Sequence, residues 1–87
     1  MIIKFQEKSR WIVFGEIDHV EYEEMPDKGP EECVSSNVLC YKPPDLPVIG
    51  KCWQVSFFTK NMNEATIIHA YSPIYLMNDQ GRTVETI

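Results

Sequence analysis

The amino-acid sequence predicts a mainly β protein: a small antiparallel sheet or open barrel of five to seven strands with at most one short helix. Three observations lead there. The apolar residues are mostly Ile, Val, Phe, Tyr and Trp, which suit a pleated, half-buried surface, whereas two Ala and three Leu are too few for a helical bundle. Apolar and polar residues alternate over short runs. Gly, Pro, Asn and Asp interrupt those runs at turn-like spacings. The 87 residues form one expected domain, irregular over 23–50, where the chain is first acidic and then Pro-rich. A chain of this size buries only about 60% of its unfolded surface, so its core is thin.

Ile2 to Phe5 and Trp11 to Phe14 read as a first hairpin, with Lys8 and Arg10 exposed at its loop. Gly15 permits a kink. Ile17 to Tyr22 resumes as a strand, with Val20 and Tyr22 on one side and Ile17, His19 and Glu21 on the other. From Glu23 to Gly29 the pattern dissolves into loop, with one helical turn expected after Pro30. Val34 to Tyr41 reads as an irregular strand. Pro43, Pro44 and Pro47 keep the next stretch out of a central ladder, because Pro lacks the donor.

Lys51 to Lys60 is the clearest strand. Trp53, Val55 and Phe57 face one way and Gln54, Ser56 and Phe58 the other. A loop at Asn61–Glu64 leads to its partner, Ala65 to Tyr71, which Ser72-Pro73 ends. Ile74 to Met77 and Arg82 to Ile87 flank Asn78-Asp79-Gln80-Gly81, good type I turn chemistry.

Charge is unevenly placed. The net charge is −5, but Glu16 to Glu32 holds eight carboxylates against Lys28 alone, and the rest of the chain is slightly basic. Such a segment is most simply a solvated face that keeps a sheet edge from pairing. It could also mimic a phosphate backbone and occupy a basic groove on another protein, with Glu16, Asp18, Glu21, Glu23 and Glu24 as contacts. Alternate strand residues point the same way about 6.6–7 Å apart, although Glu16, Asp18 and Glu21 break that alternation. The loop spacing of a calcium site is absent.

The remaining cations intersperse with aromatics. Arg10, Trp11, Tyr41, Lys42, Lys51, Trp53 and Arg82 are the candidate pocket for a small anionic, nucleotide-like ligand, whose base would stack while its phosphate is neutralised. Against this, Trp11, Trp53 and Phe57 have the alternation of ordinary core. A dominant basic stripe is lacking, which argues against direct nucleic-acid binding.

Cys33, Cys40 and Cys52 are odd in number and lack a tight Cys-x2–4-Cys pair, so free thiols are expected and no metal or cofactor is. His19 and His69 read as packed or hydrogen-bonded side chains. No nucleophile turn, Gly-rich phosphate loop or zinc-deaminase motif is present, and no catalytic residues or enzymatic activity are expected. No leader-like start and no apolar run of spanning length appear, so a cytoplasmic protein without membrane contact is expected. Pro44-Asp-Leu-Pro47 meets the bare Pro-x-x-Pro pattern, better read as a rigid loop.

The tail Ile74-Tyr-Leu-Met-Asn-Asp-Gln-Gly-Arg-Thr-Val-Glu-Thr-Ile87 resembles the ending of small phage and prophage accessory proteins, in which a Tyr-Leu run leads through Asn-Asp-x-Gly into Lys/Arg-Thr-Ile/Val-Glu. Trp11 followed by Ile17-Asp-His-Val-Glu-Tyr22 is similar more loosely. The resemblance implies a compact binder or inhibitor that counteracts a host defence process. The leading mechanism is sequestering the anionic signal, helped by homo-oligomerisation; the alternative is docking the acidic segment, as a nucleic-acid mimic, on a basic groove of a host protein. A virion structural or assembly role is a third class.

Overall fold

The structure is a computed structural model describing residues 1–25, 37–42, 50–60 and 63–87. Eight strands are seen there: β1 (Ile2–Glu7), β2 (Arg10–Phe14), β3 (Ile17–Glu24), β4 (Val38–Cys40), β5 (Cys52–Thr59), β6 (Thr66–Tyr71), β7 (Ile74–Met77) and β8 (Thr83–Thr86). Sheet A has the order β2-β1-β7-β8 and sheet B the order β3-β5-β6-β4. The mainly β class is as expected, and the described residues contain no helix. The strands number eight and divide between two sheets, without a closed barrel. β4 runs parallel to β6, the one departure from antiparallel pairing among these strands. It spans three residues at a sheet edge, too short to leave an alternation in the sequence.

Period-two alternation sets the core. In sheet A, Ile3 and Phe5 of β1 pair with Leu76 and Ile74 of β7, and all four are buried. In sheet B, Val55 and Phe57 of β5 meet Ile68 and Ala70 of β6 on the same face. These residues and Ile17 form one hydrophobic cluster, so the two sheets pack inner face to inner face. Phe14 of sheet A lies 5.1 Å, ring centre to ring centre, from Phe57 of sheet B. Tyr41, just after β4, inserts beside them with its ring 4.8 Å from that of Phe5, edge to face.

The connections explain the boundaries. Lys8 and Ser9 make a two-residue turn closed by the Glu7–Arg10 pair, and Lys8 takes a left-handed φ of 52° to do so. The last hairpin turns on Asn78, whose Oδ1 accepts from the backbone N–H of Gln80 and of Arg82, both at 3.0 Å. Gly81 supplies the left-handed residue there, at φ 83°. β3 continues to Glu24, beyond Tyr22, because Glu23 and Glu24 still pair with Gln54 and Trp53 while their carboxylates point to water.

Cysteine chemistry departs from the expectation of three free thiols. Cys52 is free and buried, but Cys40 is disulfide-bonded to a partner outside the described residues. An odd number of cysteines still leaves room for one bond, which the count alone concealed. The helical turn expected after Pro30, the Pro43–Pro47 stretch and the Asn61–Met62 part of the loop lie outside the described residues.

Candidate functional site

β3 presents the acidic segment. A bulge between Ile17 and His19 takes Asp18 out of the ladder, after which His19, Glu21 and Glu23 share the outer face of sheet B. Val20, Tyr22 and Glu24 fall on the other side, where Val20 packs on the core. Apart from Ile17 and Val20 the strand is exposed, and so is Glu16 before it. The bulge resolves the broken spacing in the sequence: Glu21 and Glu23 hold strict alternation, while Glu16 and Asp18 precede the regular ladder.

Neighbouring groups fix several of these carboxylates. Glu24 lies 3.4 Å from the Lys51 ammonium. Glu21 lies 3.2 Å from Nε2 of His19, and Glu23 accepts from Nε2 of Gln54 at 3.5 Å. Tyr22 donates its hydroxyl to Glu85 of β8 and stacks edge to face on Trp53 at 5.8 Å. Glu21, Tyr22, Glu23, Gln54 and Ser56 line a shallow groove of about 210 Å³. Its chemistry is that of a cation acceptor: the Glu21 and Glu23 carboxylates, the Gln54 amide and the Ser56 hydroxyl, with no cation in the lining. Among the described residues, β3 pairs with no strand but β5; its other edge bonds to Met1 at Ile17 and has no strand partner beyond it.

On the same face, further along the sheet, Gln54 pairs in register with His69 of β6, and its Oε1 lies 3.0 Å from Nε2 of His69. Nε2 is therefore the protonated nitrogen of the neutral ring, because an amide oxygen can only accept. Nδ1 is buried without a hydrogen-bond partner among the described residues, and burial lowers the His69 pKa. No group of three or more His, Cys, Asp or Glu suited to a metal ion occurs among the described residues.

Of the seven residues expected to form an anion pocket, Arg10 and Tyr41 share one neighbourhood, and Trp11, Lys51 and Trp53 are held by contacts of their own. Arg10 is held by Glu7, at 2.7 Å from Nη2 and 3.0 Å from Nε. Tyr41 shares that neighbourhood, and burial together with the Glu7 carboxylate raises its pKa against the opposing pull of Arg10. Lys42 follows it in the chain and is exposed. Lys51 is engaged by Glu24, and Trp53 is half-buried, donating Nε1–H to Ser72 Oγ at 2.7 Å. Arg82 is exposed beside the last turn.

Trp11 lies on the outer face of sheet A, 50% exposed, so it is not the core residue that its alternation suggested. Ile12 and Phe14 take the inner face of β2, which turns Trp11 and Val13 outward. Two of its neighbours were not among the candidates. Lys4 Nζ lies 4.7 Å from the Trp11 ring centre, and the Tyr75 ring is 6.2 Å away at 45°. The signal for them was present: Lys4 stands between the inward Ile3 and Phe5, and Tyr75 between the inward Ile74 and Leu76. Pairing β1 with β7 was needed to bring them together.

No family model, curated protein or solved structure matches the chain.

Proposed function

We propose that this chain is a non-enzymatic, phage-type binding protein that counteracts a host process by setting its acidic β3 edge on a basic groove of a host protein. The observation that carries this reading is the exposure of Glu16, Asp18, Glu21, Glu23 and Glu24 along and just before a strand whose outer edge, beyond Ile17, has no strand partner among the described residues. A basic partner meets negative charge there. A second copy meeting the same edge would oppose carboxylate to carboxylate, which is unfavourable. The homo-oligomer expected for so small a protein would therefore form elsewhere. Action on a host protein places the chain in the host cytoplasm, and no described helix is long and apolar enough to cross a membrane.

The test is capture of partners from a bacterial lysate by the native chain and by a Glu21→Gln, Glu23→Gln, Glu24→Gln variant. Captured protein should be released by duplex DNA or by salt of about 0.5 M, where exposed charges are screened within a few ångströms. The variant should capture none. If the variant retains the partner, or duplex DNA fails to compete, the proposal is wrong. A variant that loses solubility but keeps its partner would assign these carboxylates to edge protection alone.

A second reading, a small anionic ligand, is favoured by the Lys4–Trp11 juxtaposition on sheet A.

A further inference from the structure

The outer face of sheet A differs from the rest of this acidic chain. Strand register places Ile2, Lys4 and Gln6 of β1, Trp11 and Val13 of β2, and Tyr75 and Met77 of β7 on that side. Lys4 is the one charged residue in that set, and it has no ion-pair partner among the described residues. The carboxylate of β8, Glu85, registers with the inward Leu76 and is taken up by Tyr22. A lone cation therefore stands beside the exposed Trp11 and the half-buried Tyr75, with no carboxylate paired to it among the described residues.

Lys4, Trp11, Tyr75, Met77 and Thr83 line a groove of about 250 Å³ on this face. We propose that the groove binds a small planar anion of the nucleoside monophosphate class, its ring stacked on Trp11 against Tyr75 and its phosphate on Lys4. Ring separation and tilt, 6.2 Å and 45°, leave too little room for a ring sandwiched between the two. Stacking is therefore on the open face of the indole, with Tyr75 and Met77 as the side wall. The Lys4 ammonium lies 4.7 Å from the indole centre and reaches a phosphate at the ring's edge by rotating its flexible stem. Thr83 adds a hydroxyl for a polar substituent.

Size narrows the ligand. The groove is smaller than the roughly 300–1,000 Å³ of drug-sized sites, which suits one ring system with its charged arm. Charge narrows it further, because a neutral planar ligand leaves Lys4 unused. This site is independent of the acidic edge, which belongs to the other sheet, and either can fail without the other.

The experiment follows the two indole N–H resonances in ¹H–¹⁵N spectra while the protein is titrated with AMP, adenosine or inorganic phosphate. Trp11→Ala assigns the indole signals and should keep the dispersed spectrum of a folded chain, because Trp11 lies on the surface. AMP should shift the Trp11 indole and the Tyr75 and Met77 amides saturably while the Trp53 indole stays in place. Adenosine should bind about tenfold more weakly, the usual scale of one charge-assisted contact. Phosphate alone should leave Trp11 unmoved. Lys4→Gln should reduce AMP to the adenosine level, and Trp11→Ala should abolish saturation at the Tyr75 and Met77 amides. Absence of a saturable shift up to about 10 mM AMP, a range that covers millimolar affinity, would overturn the proposal. So would equal binding of AMP and adenosine, or unchanged AMP binding in Lys4→Gln.

Discussion

The Tyr22 hydroxyl on β3 donates to the Glu85 carboxylate on β8, so the acidic edge of sheet B is fastened to an edge of sheet A by a side-chain pair. This bond and the neighbouring negative charge raise the Tyr22 pKa, because the carboxylate accepts from the phenol and repels the phenolate. Tyr22 in the folded chain should thus ionise above 10, the unfolded value. Stability from the pair is present below pH 10 and falls as pH rises past it, since the unfolded phenol loses its proton first. Glu85→Gln should move one tyrosinate absorbance transition down towards 10, and Tyr22→Phe should delete that transition. A Tyr22 titration indifferent to Glu85→Gln would show that the pair does not persist in solution.

Gly50 and Gly81 both have positive φ, at 143° and 83°, but for different reasons. A Cβ on Gly50 would stand 2.8 Å from the Cβ of Ser72 and 3.2 Å from its carbonyl oxygen. Ser72 cannot yield freely, because its hydroxyl holds the Trp53 indole N–H at 2.7 Å. Gly50→Ala should therefore cost about 1–3 kcal/mol in urea unfolding through clash and backbone strain together. A Cβ on Gly81 meets nothing within 4 Å, so Gly81→Ala should cost about 1 kcal/mol from backbone conformation alone. Equal costs at the two positions would contradict the Ser72 contact.

Much of this architecture was legible because alternation is a local signal. Trp53, Val55 and Phe57 share the inner side of β5 as their spacing predicts, and Asn78 with Gly81 turns the last hairpin. The division into two sheets was not legible, since no local pattern says that β7 leaves β6 to pair with β1. The same gap hid the Lys4–Trp11–Tyr75 cluster: each residue was an outward position, but their meeting depends on long-range pairing. Trp11 was misleading because large aromatics favour burial, and only the hydrophobic demand of Ile12 and Phe14 for the inner face turned it out. The charge of the acidic segment was plain, whereas its placement on an edge strand required the β3–β5 register.

Cys52 and Cys40 should separate cleanly under alkylation. Burial raises the Cys52 thiol pKa, outweighing a lowering backbone hydrogen bond at Trp53, and the side chain is nearly inaccessible. Because the thiolate is the reactive form, Cys52 in the native chain should react at least about tenfold more slowly than in urea. Cys40 should remain unlabelled in urea until a reductant opens its disulfide. Peptide mapping by mass spectrometry reads both. Labelling of Cys40 in urea without reductant would show that the bond is absent.

His69 should make the fold sensitive to mild acid. The ring is buried, Nε2 is engaged with Gln54, and Nδ1 has no acceptor among the described residues to receive a second proton. Protonation would place a charged N–H in a dry site without a partner, so the folded pKa is depressed below 6.5. The sign follows from proton counting: below pH 6.5 the unfolded chain takes up a proton that the folded chain refuses. Stability is full above 6.5 and declines as pH falls towards the folded pKa, by at most about 1.4 kcal/mol per pH unit for one proton. The comparison is with His69→Gln, which keeps a polar side chain but cannot titrate. Urea unfolding between about pH 7.5 and 5, spanning the ordinary histidine range, should show the decline in the native chain and a flatter profile in the variant. Parallel profiles would mean that Nδ1 finds an acceptor in solution, and the buried, unpartnered ring would then be the wrong description of this site.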